Sequence, residues 1–296
     1  MSGTPRSQRL AIISQYLLTH PGRSVPQASF AARLEAARSS LSEDLAMLKE
    51  LFASEGWGCI ETVPGASGGV IYYPVLSSER MHAIAADFCQ RLSDPGRILP
   101  GGFLYLSDLL SDPAVLMNLA RLVATGYYQL LAGPPDSGAA RPALDAVVTV
   151  ETRGIPIAVM VAQVLGVPMV IIRRQALLME GPVVTVNYLS GSRRIETMSL
   201  PRRALQERAR VLLVDDFMKA GGTIRGMLEL MREFGAQVQG AAVVVRTTPP
   251  GASLLPAEPP PLTEQQLQLF SLAVLQRLDE AAQQVEVVPA TWLRKE

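Results

Sequence analysis

Cysteine and histidine are both scarce in this sequence, with two of each among 296 residues. Cys59 and Cys89 cannot build a disulfide framework and form no CxxC pair. His20 and His82 stand alone, so no metal centre is expected. Lysine is outnumbered by arginine, three to twenty-four, which points to genomic composition and not to mechanism. No run of 18 apolar residues occurs and the amino terminus has no apolar signal core, so the chain reads as soluble, cytoplasmic and without a membrane partner. Net charge is also missing: 27 basic residues balance 27 acidic ones, which removes any argument from bulk basicity. What is present is local. Five arginines (Arg6, Arg9, Arg23, Arg33, Arg38) lie before residue 39 against Glu35 alone. Eight more lie between Arg173 and Arg210 against three glutamates. Two basic zones on a neutral chain suggest two anionic contacts.

With 48% apolar residues the chain can bury one large core or two modest ones. Residues 5–73 read as a small unit. Leu10, Ile13, Leu17 and Leu18 recur at helical spacing until His20-Pro21-Gly22. A second helix is expected over about 26–36, with Ser24 as cap. A third carries Ser40-x-x-Glu43, a capping-box pattern, and an apolar stripe of Leu41, Leu45, Leu48, Leu51 and Phe52. Two β-type runs around a Gly/Pro turn follow, over 58–63 and 70–73. Three helices and a terminal hairpin make a winged helix-turn-helix. Its third helix would offer Arg38, Ser39, Ser40 and Ser42 to base edges, with Lys49 further along it. Arg6 and Arg9 would reach the phosphate backbone, and Ser67 and Gly68 would sit on the wing. Six basic and six acidic residues in this unit give it no charge excess, so tight binding to double-stranded DNA would require a homodimer.

The boundary is expected at Pro74, giving units 1–74 and 75–296. Helices are expected over 79–92 and 113–132. Strands follow over 147–150, 168–172, 183–188, 211–214 and 241–245, with helices over 156–165 and 223–234 between them. This alternation is an α/β pattern with a mostly parallel sheet covered on both faces. A Pro-rich loop over 249–262, a helix over 263–284 and a short strand over 285–288 complete the expectation.

The apolar run 211–214 leads directly into Asp215-Asp216, then Phe217-Met218-Lys219-Ala220-Gly221-Gly222-Thr223 at a helix start. Ligands of open parallel sheets bind beyond the carboxyl ends of the strands. There two adjacent carboxylates can accept hydrogen bonds from vicinal sugar hydroxyls. The glycine pair lets backbone N–H groups approach a phosphate, and the helix start adds its positive dipole end. Acceptors for a ribose and donors for a phosphate together match a ribose 5-phosphate. A second loop, Glu151-Thr152-Arg153-Gly154, follows the strand over 147–150 and suits an anion. A third element, over 187–200, has the glycine, serines and paired arginines of a mobile flap.

The segment DDxxxxGGT after four apolar residues resembles the binding motif of type I phosphoribosyltransferases for 5-phosphoribosyl 1-pyrophosphate (PRPP). Taken with Ile98-Leu-Pro-Gly-Gly102, Thr197-Met-Ser-Leu200 and Thr62-Val-Pro-Gly-Ala-Ser-Gly-Gly69, it resembles the bacterial purine operon repressors of PurR type over about residues 6–242. That resemblance implies a winged helix joined to a phosphoribosyltransferase fold, dimeric, without catalytic residues, and sensing PRPP as effector, with or without Mg²⁺ and with no other cofactor. It implies a PRPP site of residues 215–223 with Thr152, Arg153, Gly154, Arg173 and Tyr188. The function implied is repression of purine biosynthesis genes, relieved by PRPP. The alternative is an active purine phosphoribosyltransferase with an accessory amino-terminal domain. Ala220 departs from the enzymes, which carry a hydroxyl there. Its loss removes about 1 kcal/mol of hydrogen bonding, which Lys219 offsets if its ammonium points inward.

Overall fold

The computed structural model describes residues 4–63, 69–101, 103–132, 144–175, 181–189, 195–219, 221–247 and 268–294. The chain divides into two compact units, Met1–Arg80 with Val164–Gly166, and Met81–Gln163 with Val167–Glu296.

In the first unit α1 (Arg6–Thr19) buries Ile13 and Leu17, while Leu18 turns outward. Strand β1 (Val25–Pro26) then leads into α2 (Gln27–Leu34). Pro26, not Ser24, occupies the position before α2, because proline's fixed φ suits a helix entry and no side chain caps it. Helix α3 (Arg38–Ser54) starts two residues before the expected capping box. Ser40 therefore lies within the first turn and makes no cap, and Ser42 Oγ donates to the Arg38 carbonyl. Leu41, Leu45, Leu48 and Phe52 face inward, but Leu51 is 41% exposed and leaves the expected stripe. Phe52 meets Trp57 and Tyr72 edge-on at 5.6 and 5.5 Å, fastening α3 to the hairpin. That hairpin is β2 (Cys59–Val63) and β3 (Gly69–Tyr73); β1 adds a third strand, pairing Val25 with Val70. The turn between β2 and β3, with Ser67 and Gly68, lies outside the described residues.

Helix α4 (Ser78–Leu92) carries the chain into the second unit, followed by the short hairpin β4 (Ile98–Leu99) and β5 (Phe103–Leu104) and by α5 (Pro113–Ala132). Then come β6 (Ala146–Val150), α6 (Gly154–Leu165), β7 (Met169–Ile172), β8 (Val183–Leu189) and β9 (Ile195–Pro201). The chain continues through β10 (Arg210–Met218), α7 (Gly222–Glu233), β11 (Gln237–Thr247), β12 (Leu269–Asp279) and β13 (Gln284–Pro289). The main sheet runs β13-β12-β11-β10-β6-β7, parallel throughout except for the antiparallel edge strand β13. Register sets Leu269 beside Ala241 and Phe270 beside Ala242. Leu269 and Ala241 join the cluster under α7 and the β8–β9 hairpin, so Phe270, against which Gly126 of α5 packs, faces the other way. Helices thus cover both faces, as parallel sheets require.

The helix expected over 263–284 is not there. Residues 269–279 and 284–289 are strands, and 263–267 lie outside the described residues. Phe270 and residues 272–275 are all buried, and a run apolar on both faces has no period to distinguish helix from central strand. The flap reading also changes. β8 and β9 pair in register from Val183 with Pro201 to Leu189 with Ile195, and Val184, Tyr188, Met198 and Leu200 enter the core. The stem is a packed hairpin, and only its tip, 190–194, falls outside the described residues.

Candidate ligand site and nucleic-acid face

β10 continues as strand past the expected end at Val214, carrying Asp215 and Asp216 within it, 5% and 4% exposed. The Asp216 backbone N–H donates to Asp215 Oδ1 at 2.9 Å. The cation beside them is Arg153, whose Nε lies 3.3 Å from Asp216 Oδ2, but not in hydrogen-bond geometry, so Oδ2 is buried without a donor. Burial first, and the Asp216 charge second, push the Asp215 carboxyl well above the usual carboxylate range. Buried oxygen acceptors left unmatched call for donors from elsewhere.

Around this pair the strand ends converge. Gly154 opens α6 immediately below: a Cβ there would collide with Thr149 Oγ1 and lie 3.3 Å from Asp215 Oδ1. Thr149 is fully buried and its hydroxyl has no hydrogen-bond partner among the described residues. Thr152 and Arg153 stand exposed on the turn between β6 and α6. On the other side Gly221 takes the left-handed conformation (φ +73°) that lets the chain leave β10 and start α7 at once. Among the described residues no side chain caps α7, so its first-turn N–H groups lack a capping acceptor, which suits an anion. Gly154→Ala is expected to destabilise the chain by about 1–3 kcal/mol and to weaken any ligand held at Asp215. Thermal unfolding checks this, and an unshifted midpoint would show the turn has room.

Not every candidate residue joins this cradle. Lys219 does not point inward: its Nζ donates to the Gly101 carbonyl at 2.7 Å and lies 4.7 Å from the centre of the Phe103 ring. It cannot offset a missing phosphate contact from there. Phe217 faces Phe103 at 6.0 Å, Met218 is buried, and Ala220 lies outside the described residues. Arg173 Nη1 pairs with Glu151 Oε2 at 3.2 Å. Tyr188 packs its ring on Gly226 of α7 and donates its hydroxyl to Glu196 Oε2 at 2.8 Å. Burial, then the Glu196 hydrogen bond, raise its pKa. Arg174 joins Glu151, Tyr188 and Glu196, linking the β6 loop to the β8–β9 hairpin. Of the eight arginines in the second zone, Arg173, Arg174 and Arg210 are each matched to an acid, Arg202, Arg203 and Arg208 stand exposed, and Arg193 and Arg194 lie outside the described residues.

Sequence reasoning gave no role to Thr149, Arg174 or Glu196, and took Glu151 only as the start of the anion loop. Thr149 had a signal, a polar residue inside the apolar strand Ala-Val-Val-Thr-Val. The others had none, since their meeting depends on β7 lying beside β6.

On the winged unit Arg38, Ser39, Ser42 and Lys49 are exposed along α3, and Ser40 is half-buried. Arg6 and Arg9, expected at the phosphate backbone, both pair with an acid of α3. Arg6 Nε lies 3.1 Å from Asp44 Oδ1 and Arg9 Nε 2.7 Å from Asp44 Oδ2, with Asp44 fully buried. Asp44 is thus not a surface acid.

A six-stranded, mostly parallel sheet with an acidic pair and a glycine-opened helix at its carboxyl edge defines the phosphoribosyltransferase class, and residues 107–254 match the profile "Phosphoribosyl transferase domain". Residues 5–74 match "Bacterial purine repressor, N-terminal". Three curated relatives span both parts. The probable purine biosynthesis transcriptional regulator of Streptococcus pneumoniae is 45% identical, covering 80% of this chain and 83% of its own. The purine biosynthesis transcriptional repressor of Bacillus subtilis is 44% identical over 81% and 80%. The purine biosynthesis transcriptional activator of Lactococcus lactis is 40% identical over 80% and 84%. The chain belongs to the bacterial purine repressor family.

Proposed function

We propose that this chain represses purine biosynthesis genes in the cytoplasm as a DNA-binding homodimer, and that PRPP releases it from DNA without being consumed. The observation that carries the ligand is the buried Asp215–Asp216 pair, with an acceptor oxygen that lacks a donor, set between an exposed arginine turn and an uncapped helix start. The two carboxylates accept the ribose hydroxyls. The N–H groups of residues 222–224 take the 5-phosphate, and Thr152 and Arg153 take the pyrophosphate, with Mg²⁺ able to share the excess negative charge. Arg173 and Tyr188 act from behind, holding the loop and the hairpin in place. On the DNA side the exposed start of α3, Arg38 to Ser42, is the reading surface.

PRPP shifts the equilibrium only if it binds the DNA-free form more tightly, and DNA must then weaken PRPP by the same factor. The absence of turnover is supported by relatives named as regulators. One relative is named an activator, so the sign of the response is a separate question from the ligand. A gel shift of the full chain on a purine-gene promoter fragment tests both. Millimolar PRPP is expected to release the DNA, and a shift unaffected by PRPP sinks the sensor reading. Incubation with PRPP and each purine base should yield no pyrophosphate at enzymatic rates; steady release would establish the enzyme instead.

A further inference from the structure

The winged unit carries a second concave surface, a cleft of about 280 Å³ between α1, α2 and the segment joining them. None of its nine lining residues is acidic, and two of them, Arg23 and Arg33, form no ion pair among the described residues. Its floor is aromatic and fixed. Tyr16 stacks on His20 at 4.1 Å with an 11° tilt and meets Phe30 edge-on at 5.5 Å. The Arg33 guanidinium lies 5.8 Å from the centre of the Tyr16 ring, which holds that long side chain in place before any ligand arrives. Helix α2 opens into the same cleft: Pro26 and Ser29 line it, and no side chain caps the helix. Two guanidinium groups without an ion partner among the described residues and the Ser29 hydroxyl thus line one cleft that no acidic residue lines.

We propose that this cleft is a phosphate seat, and that the phosphate it takes belongs to the DNA backbone. The choice of DNA rests on the function proposed above. Arg23, Ser29 and Arg33 are all exposed, so the cleft does not enclose a free metabolite as a ligand pocket would. β1, which lines the cleft, pairs Pro26 with Gly69, the residue where the chain returns from the β2–β3 turn. A backbone phosphate seated here would lie beside β1 and α2 of the DNA-binding unit. Contacts of that kind position a protein and carry no sequence information.

The test is binding of the full chain to a labelled promoter fragment and to unrelated DNA over a range of salt. Each neutralised phosphate contributes about 0.9 to the slope of log affinity against log salt. In Arg23→Gln/Arg33→Gln the slope is expected to fall by about 0.9, the share of one phosphate, with affinity reduced roughly equally on both DNAs. Arg23→Lys/Arg33→Lys should keep the slope, which separates charge from folding. An unchanged slope in the glutamine variant, while the wild-type chain binds DNA, overturns the seat alone. If that variant keeps its slope but loses a thermal stabilisation that inorganic phosphate gives the wild type, the cleft takes free phosphate and the backbone assignment fails. A wild-type chain that binds no DNA overturns the proposed function, and this seat with it.

Discussion

Asp215→Asn is expected to make the unliganded chain more stable and at the same time deaf to PRPP. The carboxyl is buried, its pKa is raised first by that burial and then by Asp216, and the native state therefore holds a proton that the unfolded chain releases more readily. The sign follows from linkage. Where the native state binds more protons than the unfolded state, stability falls as pH rises, here from the ordinary carboxylate value up to the elevated native one. Asparagine removes the charge and keeps the Oδ1 that accepts the Asp216 N–H. Relief of a buried, poorly matched charge is worth about 1–3 kcal/mol, and each kcal/mol moves the midpoint of a domain this size by roughly 2–4 °C. The loss of stability as pH rises above the ordinary carboxylate range should flatten in the variant. PRPP, which needs the carboxylates as acceptors, should no longer release DNA in a gel shift. A variant less stable than wild type and still responsive would place the ligand elsewhere. The pairing of the two outcomes is the useful part, because a merely misfolded protein would lose both.

The residues legible in the sequence were those whose roles are local. The strand over 211–214, the acids after it and the glycines before α7 form one continuous segment, and one segment can be read without knowing its neighbours. The same holds for the apolar spacing of α1 and the inner stripe of α3. Boundaries were less legible. The capping-box pattern at Ser40 loses to a helix that begins at Arg38, and two acids expected in a loop belong to β10. The misread stretch over 269–279 shows the deeper limit. Leucine, alanine and glutamine favour a helix, yet burial on both faces between β11 and β13 makes a strand, and burial is a property of the assembled sheet.

The site divides along the same line. Asp215, Asp216, Arg153 and Gly154 meet because β10 and β6 are adjacent parallel strands in a register that ends β6 at Val150 about where β10 carries its acids. The sequence motif implies the first pair, but nothing local brings the second to it. Lys219 is the instructive case. Its place in the motif suggests an ammonium turned to phosphate, whereas the β4–β5 hairpin, 118 residues away in sequence, supplies the carbonyl it chooses. Tyr188 and Arg173 likewise go to acids of neighbouring elements, so their effect on a ligand passes through the position of the loop and hairpin they hold.

Arg9 gives the sharpest divergence between a charge read from sequence and one seen in place. Its side chain is 14% exposed, its Nε reaches Asp44, and its Nη1 donates to the Thr4 carbonyl. Asp44 is fully buried on α3, so the pair ties α1 to the helix that would read DNA. Arg9→Ala is expected to cost about 3–5 kcal/mol, because it leaves a buried carboxylate with only the half-exposed Arg6 beside it. Arg6→Ala should cost far less, within the roughly 0–1 kcal/mol typical of exposed pairs. Loss of DNA binding in Arg9→Ala would look like loss of a phosphate contact, and salt dependence tells them apart. A residue that only positions α3 lowers affinity by lowering the folded population and leaves the salt slope of the remaining folded protein unchanged. The decisive variant is Arg9→Met/Asp44→Leu. Apolar side chains of similar volume commonly replace a buried ion pair at no loss of stability, so this double variant should recover both the thermal midpoint and the DNA affinity that Arg9→Ala loses. Recovery of the midpoint without the affinity, and with a slope reduced by about 1, would return Arg9 to the phosphate backbone.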